Sequence, residues 1–171
     1  MTQIPDAERK TLILTGASRG IGHATVKRFS TAGWRVISCS RHPFPEDCPW
    51  DAGPEDHIQV DLADSVDTAA AILRMKEKLK EQGSKLHALV NNAAISPKKP
   101  GGGRLNTIET DEADWKTVFQ VNFFAPIMLA RSLPTIACRS VSSLSSSATI
   151  LLKMSSRDCR IHWRSALSCD Q

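Results

Sequence analysis

Hydrophobic positions in the first 130 residues alternate between short runs and helical spacings. Thr11-Leu12-Ile13-Leu14 is a continuous run ended by a glycine-bearing turn, the signature of a buried strand. Ile21, Ala24, Phe29 and Ala32 then recur as the apolar face of a helix stopped by Gly33, and Trp34 to Cys39 reads as a second strand. His57 to Val60 gives a short third strand. Asp64 or Ser65 caps a helix with Ala69, Ile72, Leu73 and Leu79 as its apolar positions, and Gly83 closes it. Leu86 to Val90 is a fourth strand. It leads into a Pro/Gly-rich loop from Ser96 to Gly103 and a helix beginning near Thr110 or Asp111, with Trp115, Val118, Phe119 and Asn122 along one side. Strands separated by helices pair in parallel through right-handed crossovers, so the pattern predicts an α/β, doubly wound parallel sheet.

The pattern breaks near Leu133-Pro134. Up to Ala130 the chain carries 16 Lys+Arg and 16 Asp+Glu; from Arg131 to Gln171 it carries 6 Lys+Arg and 2 Asp, so all of the net charge of +4 lies in the tail. The same 41 residues hold 11 Ser and three of the five Cys. Residues 1–133 are therefore read as one domain, and 134–171 as an atypical Ser/Arg/Cys-rich tail, partly disordered or aberrant through a frame shift or alternative splicing. The cations are scattered without interleaved aromatics, which argues against nucleic-acid binding.

Cys39, Cys48, Cys138, Cys159 and Cys169 are odd in number and never spaced Cys-x-x-Cys, so neither a disulfide framework nor a zinc ribbon is expected. The histidines are dispersed and no metal site is expected. The longest apolar run, Phe123 to Ala130, is too short to span a bilayer, and the first ten residues lack a signal-type apolar core. A cytoplasmic protein without membrane contact is expected.

Thr15-Gly16-Ala17-Ser18-Arg19-Gly20-Ile21-Gly22 falls between the first strand and the first helix, where an open parallel sheet has its ligand crevice. Gly16 suits the turn, Gly20 a close backbone approach to a pyrophosphate and Gly22 close helix–strand packing, with the amides of the helix start pointing at the anion. The spacing is Gly-x-x-x-Gly-x-Gly, which departs from the Gly-x-Gly-x-x-Gly dinucleotide fingerprint.

That segment closely resembles the cofactor motif of the short-chain dehydrogenase/reductase family. Three further segments come after it in order: Asp61-Leu62 after the third strand, Asn91-Asn92-Ala93-Ala94 after the fourth, and Val121-Asn122 in the next helix. The second is similar to the family's Asn-Asn-Ala-Gly, with Ala94 in place of glycine. The resemblance implies a Rossmann-type sheet, C-terminally incomplete here, that binds NAD(P). It implies that Gly16, Ser18, Arg19, Gly20, Ile21 and Gly22 hold the phosphates and adjacent ribose, that Asp61 and Leu62 contact the adenine, and that Asn92, Ala93 and Ala94 line the cofactor's path. It gives Asn122 the role of orienting a water in the proton relay.

At the end of the second strand an acidic residue would accept hydrogen bonds from a free 2′-hydroxyl. This chain has Ser40-Arg41. Arg41 and Arg19 suit a 2′-phosphate clamp, with Ser40 adding a hydrogen bond, so NADP(H) is expected over NAD(H). The alternative for Arg41 is a solvated loop cation.

The family's chemistry uses a Tyr-x-x-x-Lys helix, in which the lysine lowers the pKa of the phenol that moves the proton. This chain contains no tyrosine. His162 lies at a plausible distance, but Ala166 stands where lysine would be required, and Ser143 is the best match to the family's catalytic serine. The resemblance therefore implies an NADP(H)-dependent reductase or dehydrogenase of a small carbonyl or alcohol substrate, catalytically impaired, with homo-oligomerisation an open possibility. The alternatives are a non-catalytic dinucleotide- or partner-binding module and a non-functional truncated product.

Overall fold

A computed structural model of the chain describes residues 9–44 and 53–133, together with the backbone of 153–155 and 158–162. Its centre is a four-stranded parallel sheet in the order β3-β2-β1-β4, formed by β1 (Thr11–Thr15), β2 (Arg35–Ser40), β3 (His57–Gln59) and β4 (Leu86–Val90). Helices α1 (Gly20–Thr31), α2 (Ser65–Glu81), α3 (Glu112–Phe119) and α4 (Ala125–Ser132) connect and follow the strands. Two further strands, β5 (Lys153–Ser155) and β6 (Asp158–His162), pair antiparallel as a separate sheet.

Alternation along the strands divides the core into two layers. Leu12, Leu14, Val36, Ala88 and Val90 pack against Val26 and Phe29 of α1. Ile13, Ile37, Ile58 and Leu89 face the other way, towards Ala71, Ile72 and Met75 of α2 and Leu129 of α4. All five residues of β1 are buried, as a strand covered on both faces requires. The doubly wound α/β expectation therefore holds.

The helical faces are placed differently from the expected stripes. In α1 the buried residues are Gly22, Val26 and Ser30, whereas Ala24 and Ala32 are exposed and Ile21 is 48% exposed. The cause is the start of the helix at Gly20, which puts Ile21 in the first turn, clear of the sheet. In α2 Ile72 is buried and Leu79 half-buried, but the stripe runs through Thr68, Ala71 and Met75, and Ala69 and Leu73 face solvent. Asp64 is the N-cap, accepting from the Val66 and Asp67 amides at 2.7 and 3.3 Å.

The last helical segment is not continuous. A π-helical turn, Gln120–Phe124, separates α3 from α4, and α3 buries no residue. Pro126 accounts for the break: it has no N–H to give the Asn122 carbonyl four residues back, and its ring would press on that carbonyl in a regular α-helix. The widened turn rotates α4 relative to α3, so that Leu129 and Ala130 are buried while Phe119 and Phe124 are each 50% exposed.

Candidate functional site

The C-terminal ends of β1, β2, β3 and β4 open into one cleft of about 490 Å³. Every residue expected to bind a dinucleotide lines it: Gly16, Ser18, Arg19, Gly20, Ile21, Gly22, Ser40, Arg41, Asp61, Leu62, Asn92, Ala93 and Ala94. Val60, Ile95, Thr117 and Val121 complete the wall with Cys39, His42 and Ala63.

The glycine turn is locked by the segment that follows β4. Thr15 Oγ1 accepts from the backbone amides of Asn92 and Ala93, both at 3.1 Å, and Asn92 Nδ2 donates to the carbonyls of Thr15 and Gly16 at 3.2 and 3.1 Å. The Gly16 and Ala17 amides donate to the Cys39 carbonyl at 2.9 and 3.1 Å, tying the turn to β2 as well. A Cβ on Gly22 would lie 1.9 Å from the Gly16 carbonyl oxygen, so only glycine permits this approach. Thr15 stood in the sequence motif without a role; a hydroxyl at the last strand position before the glycine was the available signal for one.

Above that frame the cleft suits an anion. Gly20 has φ +57° and open space where a Cβ would stand, so bare backbone faces the cleft. The first N–H groups of α1 lie outside its own hydrogen-bond ladder, and the N-cap residue Arg19 makes no side-chain cap to them. Aligned peptide dipoles add partial positive charge at the same place. Arg19 and Arg41 are exposed on the cleft rim. The donors, charge and shape fit a dinucleotide pyrophosphate.

Other expected residues are already engaged. Ser40 is buried and its Oγ donates to the His42 carbonyl at 2.8 Å, so its hydrogen is committed within the chain. Asp61 accepts from the Ala63 amide at 3.0 Å through Oδ1. Asn122, in the π-turn, accepts from the Ile95 amide at 2.9 Å and donates to the Ile95 carbonyl at 2.8 Å, fastening the segment after β4 to the wide turn. Cys39 is fully buried, and burial pushes its thiol up to about 12 despite the opposing charge of Arg74. It is therefore a protonated wall residue and not a nucleophile.

Ser143 lies outside the described residues, and His162 is described only as a backbone position of β6. Among the described residues there is no group of three His, Cys, Asp or Glu able to hold a metal, and no helix long and apolar enough to cross a membrane.

The sequence model of the family described as short chain dehydrogenase matches residues 10–151. Protein FixR of Bradyrhizobium diazoefficiens is 53% identical over 132 residues, covering 77% of this chain and 47% of its own length. Serine 3-dehydrogenase of Agrobacterium fabrum is 29% identical over 129 residues, covering 74% of this chain and 48% of its own. The chain thus spans about half the length of these curated relatives. Among solved structures, an oxidoreductase from Brucella ovis in complex with a partially ordered NAD is 71% identical, with a TM-score of 0.69, over 74% of this chain and 56% of that one. A metagenomic short-chain oxidoreductase in complex with NADP is 25% identical, with a TM-score of 0.58, over 75% and 55%.

Proposed function

The chain belongs to the short-chain dehydrogenase family, and from that premise we propose that residues 1–133 form an NADP(H)-binding domain that does not by itself carry out the family's redox step. The observation that carries this reading is the cleft, where a bare-backbone glycine turn and the start of α1 share one wall with the exposed Arg19 and Arg41. The N–H groups of the first α1 turn would hold the pyrophosphate, Asp61 and Leu62 would border the adenine, and Asn92 to Ala94 would line the path towards the nicotinamide.

Relatives of known structure hold either nucleotide: the Brucella ovis protein is described with NAD, the metagenomic one with NADP. This chain's own residues favour NADP(H). Arg41, one residue past β2, and Arg19, at the start of α1, offer two cations to a 2′-phosphate, and the end of β2, Ser40-Arg41-His42, carries no carboxylate. Arg41→Asp would place a carboxylate there, and the predicted result is a reversal of the NADPH-to-NADH affinity ratio. An unchanged ratio in a direct binding titration contradicts the assignment.

A bound nicotinamide would supply hydride to a carbonyl carbon or take it from an alcohol. The proton that accompanies it needs an acid matched to neutral pH, and these 171 residues contain no tyrosine. The domain therefore binds and presents the cofactor, and turnover of small carbonyl or alcohol substrates is expected to be weak or absent.

A further inference from the structure

Residues two apart in a strand share a face. The parallel register sets Ser38 beside His57 and Ser40 beside Gln59, so four polar residues share one face at the C-terminal end of β2 and β3. The opposite face of the same pair is apolar, with Ile37, Cys39, Ile58 and Val60 in the core. The backbone ladder ends where the Val60 amide donates to the Ser40 carbonyl at 2.9 Å. Next come Arg41 and His42, then Pro43, which has no N–H to offer.

Side chains of β3 take over where the ladder stops. Gln59 Nε2 donates to the Arg41 carbonyl at 2.9 Å, and His57 Nε2 lies 2.9 Å from the His42 carbonyl, which also accepts from Ser40 Oγ. A carbonyl only accepts, so the hydrogen of neutral His57 sits on Nε2, and Nδ1 faces the Ser38 hydroxyl at 2.9 Å. The Phe44 ring packs against His57 with centroids 5.7 Å apart, and Arg74 donates to the Gln59 carbonyl at 3.1 Å.

We propose that His57 and Gln59 are positioning residues for the choice of dinucleotide, holding the carbonyls of Arg41 and His42 so that these two residues present a fixed rim to the cleft. Arg41 and His42 line the cleft; His57 and Gln59 do not. The proposal rests on the NADP(H) reading above. An arginine on a loose loop loses backbone as well as side-chain freedom when it closes on a phosphate. With its carbonyl already held, the backbone part is removed before binding, which strengthens the phosphate contact in particular. A nucleotide with a free 2′-hydroxyl draws less on Arg41 and depends less on the clamp.

The test uses the full chain and the variants Gln59→Met and His57→Phe, which keep bulk but lose the donor, and His57→Gln, which restores one. Each is titrated with NADPH and with NADH by calorimetry, and its unfolding midpoint is recorded without nucleotide. The expected result is NADPH affinity lowered about three- to tenfold in Gln59→Met and His57→Phe, NADH affinity within about twofold of wild type, and the preference largely restored in His57→Gln. Gln59 is exposed, so Gln59→Met decides the matter even where His57→Phe does not fold. Equal weakening of both nucleotides, or an unchanged ratio, overturns the positioning role while leaving the NADP(H) reading intact. A wild-type chain that binds neither nucleotide overturns both.

Discussion

Gly20 and Gly22 lie two positions apart and answer different demands. Gly22 is fixed by contact: a methyl group there would meet the Gly16 carbonyl at 1.9 Å and Asn92 Nδ2 at 2.7 Å. Gly20 is fixed by its backbone angle and has open space around it. Gly22→Ala is therefore predicted to lower stability by about 2–3 kcal/mol through overpacking against backbone, and Gly20→Ala by only about 1 kcal/mol through its left-handed φ. Urea unfolding of the two variants checks the order. Cys39 gives a pH signature at the same scale. Its thiol stays protonated in the fold to about 12, while the unfolded thiol ionises near the ordinary value of 9.0. Above that value the folded state binds the extra proton, so Cys39 makes stability fall as pH rises from about 9 to 12, with a limiting slope of about tenfold in the folding constant per pH unit. Unfolding curves of wild type and Cys39→Ala across that range should converge at high pH; parallel curves would contradict the assignment.

At the scale of elements, the alternation of strands and helices was legible because each apolar run was bounded by caps and glycines that act locally. Of the two candidates the sequence offered at each start, Asp64 caps α2 and Asp111 caps α3. The faces were less legible, since which side of α1 or α2 is buried depends on where the helix meets the sheet; Leu73, 59% exposed, shows the limit. The π-turn had one visible cause, Pro126, but its hydrogen bonds to Ile95 join residues 27 apart. The ion pair of Arg35 was invisible for the same reason. Arg35 is 5% exposed at the start of β2, bonded to Asp56 at 2.7 and 2.6 Å, and also reaches the Lys78 carbonyl at 3.2 Å. Asp56→Ala would leave that buried guanidinium without its counter-charge and is predicted to cost about 3–5 kcal/mol, whereas Arg35→Met with Asp56→Leu should recover much of the loss. Denaturant midpoints of the single and double variants test this.

At the scale of the molecule, the gathering of the thirteen expected residues around one cleft was legible because they sit in segments that the parallel topology must bring to one edge of the sheet. Beyond that reach lay the clamp from β3 onto the Arg41 loop, which requires knowing the β2–β3 register. The sheet ends at β4, whose outer edge has no strand beside it among the described residues, and the chain spans 47% of FixR and 56% of the Brucella ovis oxidoreductase. The glycine turn, the rim arginines and the Asn92 lock are all present, and the 171 residues contain no tyrosine.

The most direct test is a thermal melt of the full chain with NADPH, with NADH and without nucleotide. At about a hundred times its dissociation constant a nucleotide bound only by the folded state adds about 2.7 kcal/mol, which moves the midpoint by about 5–10 °C. One cooperative transition is expected, raised by NADPH and raised less by NADH at the same concentration. A cooperative transition that neither nucleotide moves would contradict the assignment of the cleft.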